Sequence, residues 1–300
     1  MEEKLSILGS RLILAGLIVV LLLPTAGFSQ DQSIKKTVEA LQAKVDGLAR
    51  KANLERGRTV YFLACSSCHG IRGDGRGPAA KGFDPAPRNF RRGVYKFRTT
   101  VSGALPLDED LERTVREGVP GTEMPRWKDV LSEHDIKAVV QYVKAFSPYF
   151  EDPKSLPQPK DIVQIPESRP FEPNSASIAA GRQIYVQQDC VKCHGKSGEG
   201  DGVEANKLLD DWNVPIRPAD LSLRYFKTGK HDRDIFRVFT TGLNGTPMPA
   251  FDDLTDAQRW QLVDYIKSLE QKGWFYRLFR ENPNQVTHPD SEAKAAGSRR

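Results

Sequence analysis

Cys65-Ser66-Ser67-Cys68-His69 and Cys190-Val191-Lys192-Cys193-His194 decide the reading of this 300-residue chain. Cys-x-x-Cys-His is the attachment signature of a c-type haem: two thiols make thioether links to the porphyrin edge and the adjacent histidine becomes an iron ligand. The chain has four cysteines, and the two motifs use all of them. Free thiols would be out of place in an oxidising compartment, and thioether linkage removes that difficulty. A lone Cys-x-x-Cys also suits a redox dithiol or half a zinc site. The following histidine, and its repetition, favour haem. The long gap from Cys68 to Cys190 makes a four-thiolate zinc site a poor account.

Working outward, each motif is followed by a methionine beside a proline, Met124 in Gly121-Thr122-Glu123-Met124-Pro125 and Met248 in Gly245-Thr246-Pro247-Met248-Pro249. Apart from Met1 the chain has no other methionine. Methionine is ordinarily a flexible filler of cores, but matched places in two repeats point to sixth ligands of two irons. Thioether ligation raises the reduction potential, and the proline stiffens the loop that presents the sulfur. The metal ligands expected are therefore His69 with Met124 and His194 with Met248. His134, His231 and His288 are the bis-histidine competitors, and none recurs at a matching offset.

The repetition extends further. Gly57 and Tyr61 precede Cys65 much as Gly181 and Tyr185 precede Cys190, Gly73-Asp74-Gly75 is echoed by Gly200-Asp201-Gly202, and Lys96-Phe97-Arg98-Thr99 by Tyr225-Phe226-Lys227-Thr228. A glycine inside a helix is costly, so Gly57 and Gly181 hint at close helix crossings. Helical stripes follow at Ile136, Val139, Val140 and Val143, and at Trp260, Val263 and Ile266.

These features divide the chain. Residues 1–29 carry Lys4 and Arg11, an apolar run from Leu12 to Leu23 and a small-residue exit, the pattern of an export signal, with a membrane anchor as the alternative. Residues 30–52 place Ile34, Val38, Leu41, Val45 and Leu48 at heptad-like spacing, a helical spacer or docking strip. Residues 53–150 form a first domain. Residues 151–175, with six prolines, form an extended, semi-rigid linker that fixes a distance between two domains or lies across their surfaces. Residues 176–275 form a second domain. Residues 276–300 are a tail, in which Trp274, Phe275, Tyr276 and Phe279, at and just before its start, are candidates for packing back or for contact with another subunit.

The net charge of +5 is concentrated in the first domain, around Arg88, Arg91, Arg92, Lys96 and Arg98. A basic face can steer an acidic redox partner, or be merely solvated. Export and the need of haem propionates for nearby donors argue against nucleic acid.

The two motif-and-methionine sets resemble class I cytochrome c domains, and the resemblance covers about 200 of the 300 residues. It implies an all-α fold of two tandem class I cytochrome c domains, with a crossing of terminal helices and a loop leading to the haem propionates, here Pro87-Arg88-Asn89-Phe90 and Pro218-Ala219-Asp220-Leu221. It implies two covalently attached haem c groups on Cys65, Cys68, His69 and Met124, and on Cys190, Cys193, His194 and Met248. Arg98 and Trp127 are implied propionate contacts in the first domain, and Lys227 in the second. Trp127 has no tryptophan counterpart, and Phe251 stands in the related place. The order of segments resembles accessory dihaem subunits of haem-copper oxidases, and also cytochromes that accompany quinol-oxidising complexes or periplasmic molybdenum oxidoreductases.

The function expected is one-electron transfer on the periplasmic side between a membrane-linked respiratory complex and a redox protein, with no small-molecule substrate and no catalytic residue. The alternative is a dihaem redox enzyme of peroxidase or sulfur-compound dehydrogenase type, which needs one iron with an open axial site. A passive haem-carrying module is a third reading.

Overall fold

The computed structural model describes residues 26–269 except 224 and 230, with side chains from residue 32 onward. The apolar leader, Trp274 to Phe279, His288 and the rest of the tail lie outside the described residues. Within them the structure is helical, with only isolated β-bridges. No helix among them is long and apolar enough to cross a membrane.

The chain divides into two units after Asn53. Helix α1, Ala26–Val60, runs without a break through the expected domain start at 53. On its first part the heptad-like stripe stands free: Ile34, Val38, Leu41, Val45 and Leu48 are each 57–61% exposed. Glycine lowers helix propensity, yet Gly57 does not end α1, because a neighbouring helix needs the space it leaves.

From Leu54 onward the described residues form one compact unit, in which two similar halves are distinguishable. In the first, α1 passes into a π-helical turn, Tyr61–Cys65, and the short helix α2, Ser66–His69. Helices α3, Asp108–Glu117, and α4, Glu133–Lys144, follow. In the second half the same order is α5, Ser175–Gln187; α6, Cys190–His194; α7, Asp232–Thr241; and α8, Asp256–Ser268. Their starts are chemically marked. Ser132 caps α4, Asn174 caps α5 and Thr255 caps α8, each accepting a backbone N–H three residues on.

The glycine-dependent crossings are present in both halves. A Cβ on Gly57 would lie 2.0 Å from Ala138 O on α4, and one on Gly181 would lie 1.9 Å from Gln261 O on α8. Each crossing places a tyrosine pair in the core: Tyr61 with Tyr142 at 5.4 Å between ring centres, and Tyr185 with Tyr265 at 5.2 Å.

The proline-containing stretch between the halves is not a free spacer. Ile162 pairs with Thr100 in an antiparallel bridge, and Val163 N–H donates to Thr99 O at 2.8 Å. Further on, Arg169 pairs with Asp232 and with Asp264, and lies over the Trp260 ring. The stretch is thus bonded to both halves, and the halves also meet directly. Arg98 is fully buried, and its guanidinium donates to Val101 O, Gly242 O and Thr241 O at 3.3, 3.4 and 2.6 Å. Asn244 Oδ1 accepts from Gly103 N–H at 3.0 Å. The Trp212 ring lies beneath the guanidinium groups of Arg88 and Arg92, at 5.4 and 4.6 Å. Part of the basic run is therefore turned toward the other half and does not form one open face.

Candidate functional site

In each half the histidine of the Cys-x-x-Cys-His motif ends a short helix, followed by a glycine with positive φ. Gly70 and Gly195 have φ of 78°, and a Cβ there would meet Asp74 and Asp201. This conformation excludes other residues and turns the chain back over the motif. The turn is tied by Tyr61 Oη, which donates to Gly70 O at 2.6 Å, and by Tyr185 Oη, which donates to Gly195 O at 2.7 Å. Burial raises both phenols well above their ordinary pKa, so both remain donors.

The imidazoles are held from behind. His69 Nδ1 lies 3.1 Å from Arg88 O, and His194 Nδ1 lies 3.0 Å from Ala219 O. A carbonyl only accepts, so Nδ1 carries the hydrogen and Nε2 is left with its lone pair. Burial lowers both histidine pKa values, which favours the neutral ring. Backbone carbonyls supply these partners, as expected of a haem-ligating histidine whose second nitrogen has to be fixed, although no side chain in the two loops marks which carbonyls they are. Phe90 stacks on His69 at 4.5 Å and was missed.

The methionine loops are built alike. Gly118 and Gly242 leave α3 and α7 at φ of 67° and 63°, where a Cβ would strike the backbone beside Met124 and Met248. Val119 N–H donates to Met124 O, and Leu243 N–H to Met248 O, both at 3.0 Å. Thr122 Oγ1 donates to Val119 O and accepts from Met124 N–H; Thr246 Oγ1 does the same with Leu243 O and Met248 N–H. Both sulfur-bearing residues are thereby fixed on matched hairpin-like loops.

In the second half Cys190, Cys193, His194 and Met248 line one cavity of about 290 Å³. Its wall is mainly apolar, from Phe226, Ile235, Phe239, Phe251, Leu262 and Ile266. Lys227, an expected propionate contact, also lines it. In the first half three buried polar atoms have no partner among the described residues, Trp127 Nε1, Tyr95 Oη and Ser147 Oγ. Burying such groups unpaired is costly, and a carboxylate would satisfy them. Arg98, expected beside them, has its nitrogens committed to carbonyls, two of them in the second half. His134 and His231 lie exposed, His231 at the start of α7.

The alternatives for the cysteines fare poorly. All four are free of disulfides. Burial pushes the Cys65 and Cys190 thiols up to about 12, whereas a redox dithiol needs a lowered value. Among the described residues no three His, Cys, Asp or Glu side chains gather as a metal site, so the two cysteine pairs do not converge on zinc. The donors present in each half, two thiols, an imidazole with Nε2 available and a thioether, fit a c-type haem.

Comparison with known proteins agrees with this geometry. Residues 178–270 match the cytochrome c family, and residues 52–143 match cytochrome c oxidase, cbb3-type, subunit III. The chain carries a class I c-type cytochrome domain in its second half and a domain of the cbb3-type oxidase subunit family in its first. The cytochrome is 24% identical over 260 residues to the cbb3-type cytochrome c oxidase subunit CcoP of Helicobacter pylori, covering 82% of this chain and 70% of that one. It is 24% identical over 240 residues to the cytochrome bc1 complex cytochrome c subunit of Corynebacterium diphtheriae, covering 75% and 70%. Among solved structures, a chain of the Kuenenia stuttgartiensis reducing HAO-like protein complex superposes with a TM-score of 0.67 and 44% identity, covering 72% of this cytochrome and 96% of that chain.

Proposed function

We propose that this cytochrome carries two covalent haem c groups and passes single electrons between a membrane-linked respiratory complex and a redox partner on the periplasmic side, as a subunit of such a complex. The repeat of one bonded framework carries the reading: in each half the Cys pair, the carbonyl-held histidine and the threonine-tied methionine loop recur with the same hydrogen bonds. When bound, haem c supplies the one-electron iron couple.

The residues have separable tasks. Cys65 with Cys68, and Cys190 with Cys193, would fix the porphyrin edges to the chain. Arg88 O and Ala219 O orient His69 and His194 with Nε2 forward. The glycine and threonine of each methionine loop hold Met124 and Met248 in place, so that a change of iron charge would require little rearrangement. The apolar wall of the second cavity excludes water, which favours the reduced, less charged state. With His69 and Met124 holding one iron and His194 and Met248 the other, neither iron would have a place for a substrate, which separates this reading from the dihaem enzyme. Relatives named for cbb3-type oxidase and bc1 complexes, and a neighbour from an HAO-like complex, support a role inside a larger assembly. The apolar leader supports export, by cleavage or anchoring.

The test is made on the full chain exported with its haem. A pyridine haemochrome assay should count two haems per chain. The oxidised protein should show sulfur-to-iron absorption from two centres, and Met124→Ala and Met248→Ala should each remove one share. Carbon monoxide should not bind the reduced, unmodified protein. Binding of carbon monoxide to one centre would move the assignment to the enzyme reading.

A further inference from the structure

The cavity that holds Cys190, Cys193, His194 and Met248 is not closed by the second half alone. Asp84, Pro85, Lys96 and Phe97 of the first half form part of its wall, beside Lys227. The two lysines are half-buried and disfavour each other's charge. Neither makes a hydrogen bond or ion pair among the described residues. Asp84 favours the charge of both, and Asp210 that of Lys96, but only through the field. Burial, reinforced at Lys96 by the cations of Arg88 and Lys227, prevails over these carboxylates: Lys96 is pushed down to about 8 and Lys227 is also lowered. Two cations against an apolar hollow call for an anion.

The repeat makes the placement of Lys96 informative. Lys96-Phe97-Arg98-Thr99 corresponds to Tyr225-Phe226-Lys227-Thr228. In both halves this segment reaches across. Tyr225 packs against Gly121 at the base of the Met124 loop, where a Cβ would lie 2.6 Å from its ring. Arg98 holds the backbone from which the Met248 loop departs. Lys96 goes furthest, into the wall of the other half's cavity.

Haem carries two propionate carboxylates on one edge. Resting on the two-haem reading above, we infer that Lys96 of the first half binds a propionate of the second half's haem alongside Lys227, so that the second haem site is completed by the first half. The first haem gains no matching cation, because the position equivalent to Lys96 in the second half is Tyr225. The second haem is thus held between the two halves.

The experiment is a redox titration of the exported, haem-loaded full chain with Lys96→Met, Lys96→Gln and Lys96→Arg, after haem counting on the unmodified protein. Lys96→Met removes a cation that favours the reduced iron. One wave should therefore move to lower potential while the other stays in place, and the moved midpoint should become pH-dependent near neutrality as its propionate loses its partner. The propionate bending mode in resonance Raman spectra should shift, and Lys96→Arg should restore all three signals. Lys227→Met should move the same wave. Lys96→Gln keeps a polar side chain should the methionine variant fail to fold. Two haems with both waves, both pH profiles and the propionate mode unchanged in Lys96→Met or Lys96→Gln would overturn the inference. Fewer than two haems on the unmodified chain would instead overturn the reading beneath it.

Discussion

In the first half of the compact unit, Phe90 lies on His69, with Tyr61 and Phe146 next to it. In the second half Leu221 stands in the place of Phe90, its N–H bonded to Gly198 O at 2.6 Å as that of Phe90 is to Gly73 O at 2.7 Å. The large rings there lie elsewhere: Trp260 packs on Phe236 at 4.7 Å, beneath α8. The backbone bonds around the histidines and methionines are common to both halves, while the side chains filling the space around them are not. The difference separates two kinds of constraint. Positions that aim a ligand atom depend on carbonyls, glycines and threonines. Positions that only exclude water accept any apolar group of suitable volume.

The strongest test of the equivalence is at the crossings. Gly57→Val and Gly181→Val would each drive a side chain into a backbone carbonyl, at a cost of about 3 kcal/mol. Thermal unfolding should fall by a similar amount for both and stay a single transition, since both crossings belong to one unit. Two separated transitions would show the halves to be independent.

A smaller loss is expected at the joint. Arg98→Met leaves Thr241 O without its donor and Gly242 O with only the Thr241 hydroxyl, which costs about 2 kcal/mol. Chemical denaturation should register that loss, and hydrogen exchange should rise on both sides of the contact. Exchange confined to residues near Arg98 would mean that the guanidinium is only a local fastener.

The turn-tying tyrosines should be closer to equal. Tyr61→Phe and Tyr185→Phe each delete one buried bond to a glycine carbonyl, worth about 1 kcal/mol. A clear inequality would break the comparison at the motif itself.

The smallest difference is one of acidity. The cap of α4 uses Asp135, whose Oδ2 accepts from Ser132 Oγ at 2.6 Å, while the cap of α8 uses the neutral Gln258. The Ser132 hydroxyl and then Arg56 hold the Asp135 carboxyl below its ordinary value of 3.8. Its contribution is therefore complete above that value and is lost as pH falls through the lower, folded value. The group is near solvent, so the effect is roughly 0.5 kcal/mol. Stability measured against pH should lose that acid-dependent part in Asp135→Asn and keep it in Gln258→Ala.

Much of this architecture was legible before any coordinates. The motifs, methionine loops and crossing glycines repeat at nearly constant spacing, and a helix that needs glycine announces a close neighbour. What stayed hidden depends on contacts between distant residues. Helix α1 runs through position 53 to Val60, so nothing local marks where the compact unit begins. Arg98 read as a propionate donor because a cation near that loop has the same linear pattern whether it meets carboxylates or carbonyls. The six prolines pointed to a spacer, and nothing local reveals that Ile162 and Val163 pair with the 99–101 strand-like segment. Lys96 stands in the sequence as a member of a basic run and of a repeated segment, and neither shows that it lines the other half's cavity.

The buried Arg98 has a consequence for anyone wishing to use this protein as a source of parts. A cut within the stretch around Pro157 would strand a fully desolvated cation on one fragment and bare carbonyls on the other. A single-centre electron carrier is therefore not obtained by simple truncation. The newly exposed seam has to be redesigned first, and ancestral duplication has in this sense become irreversible.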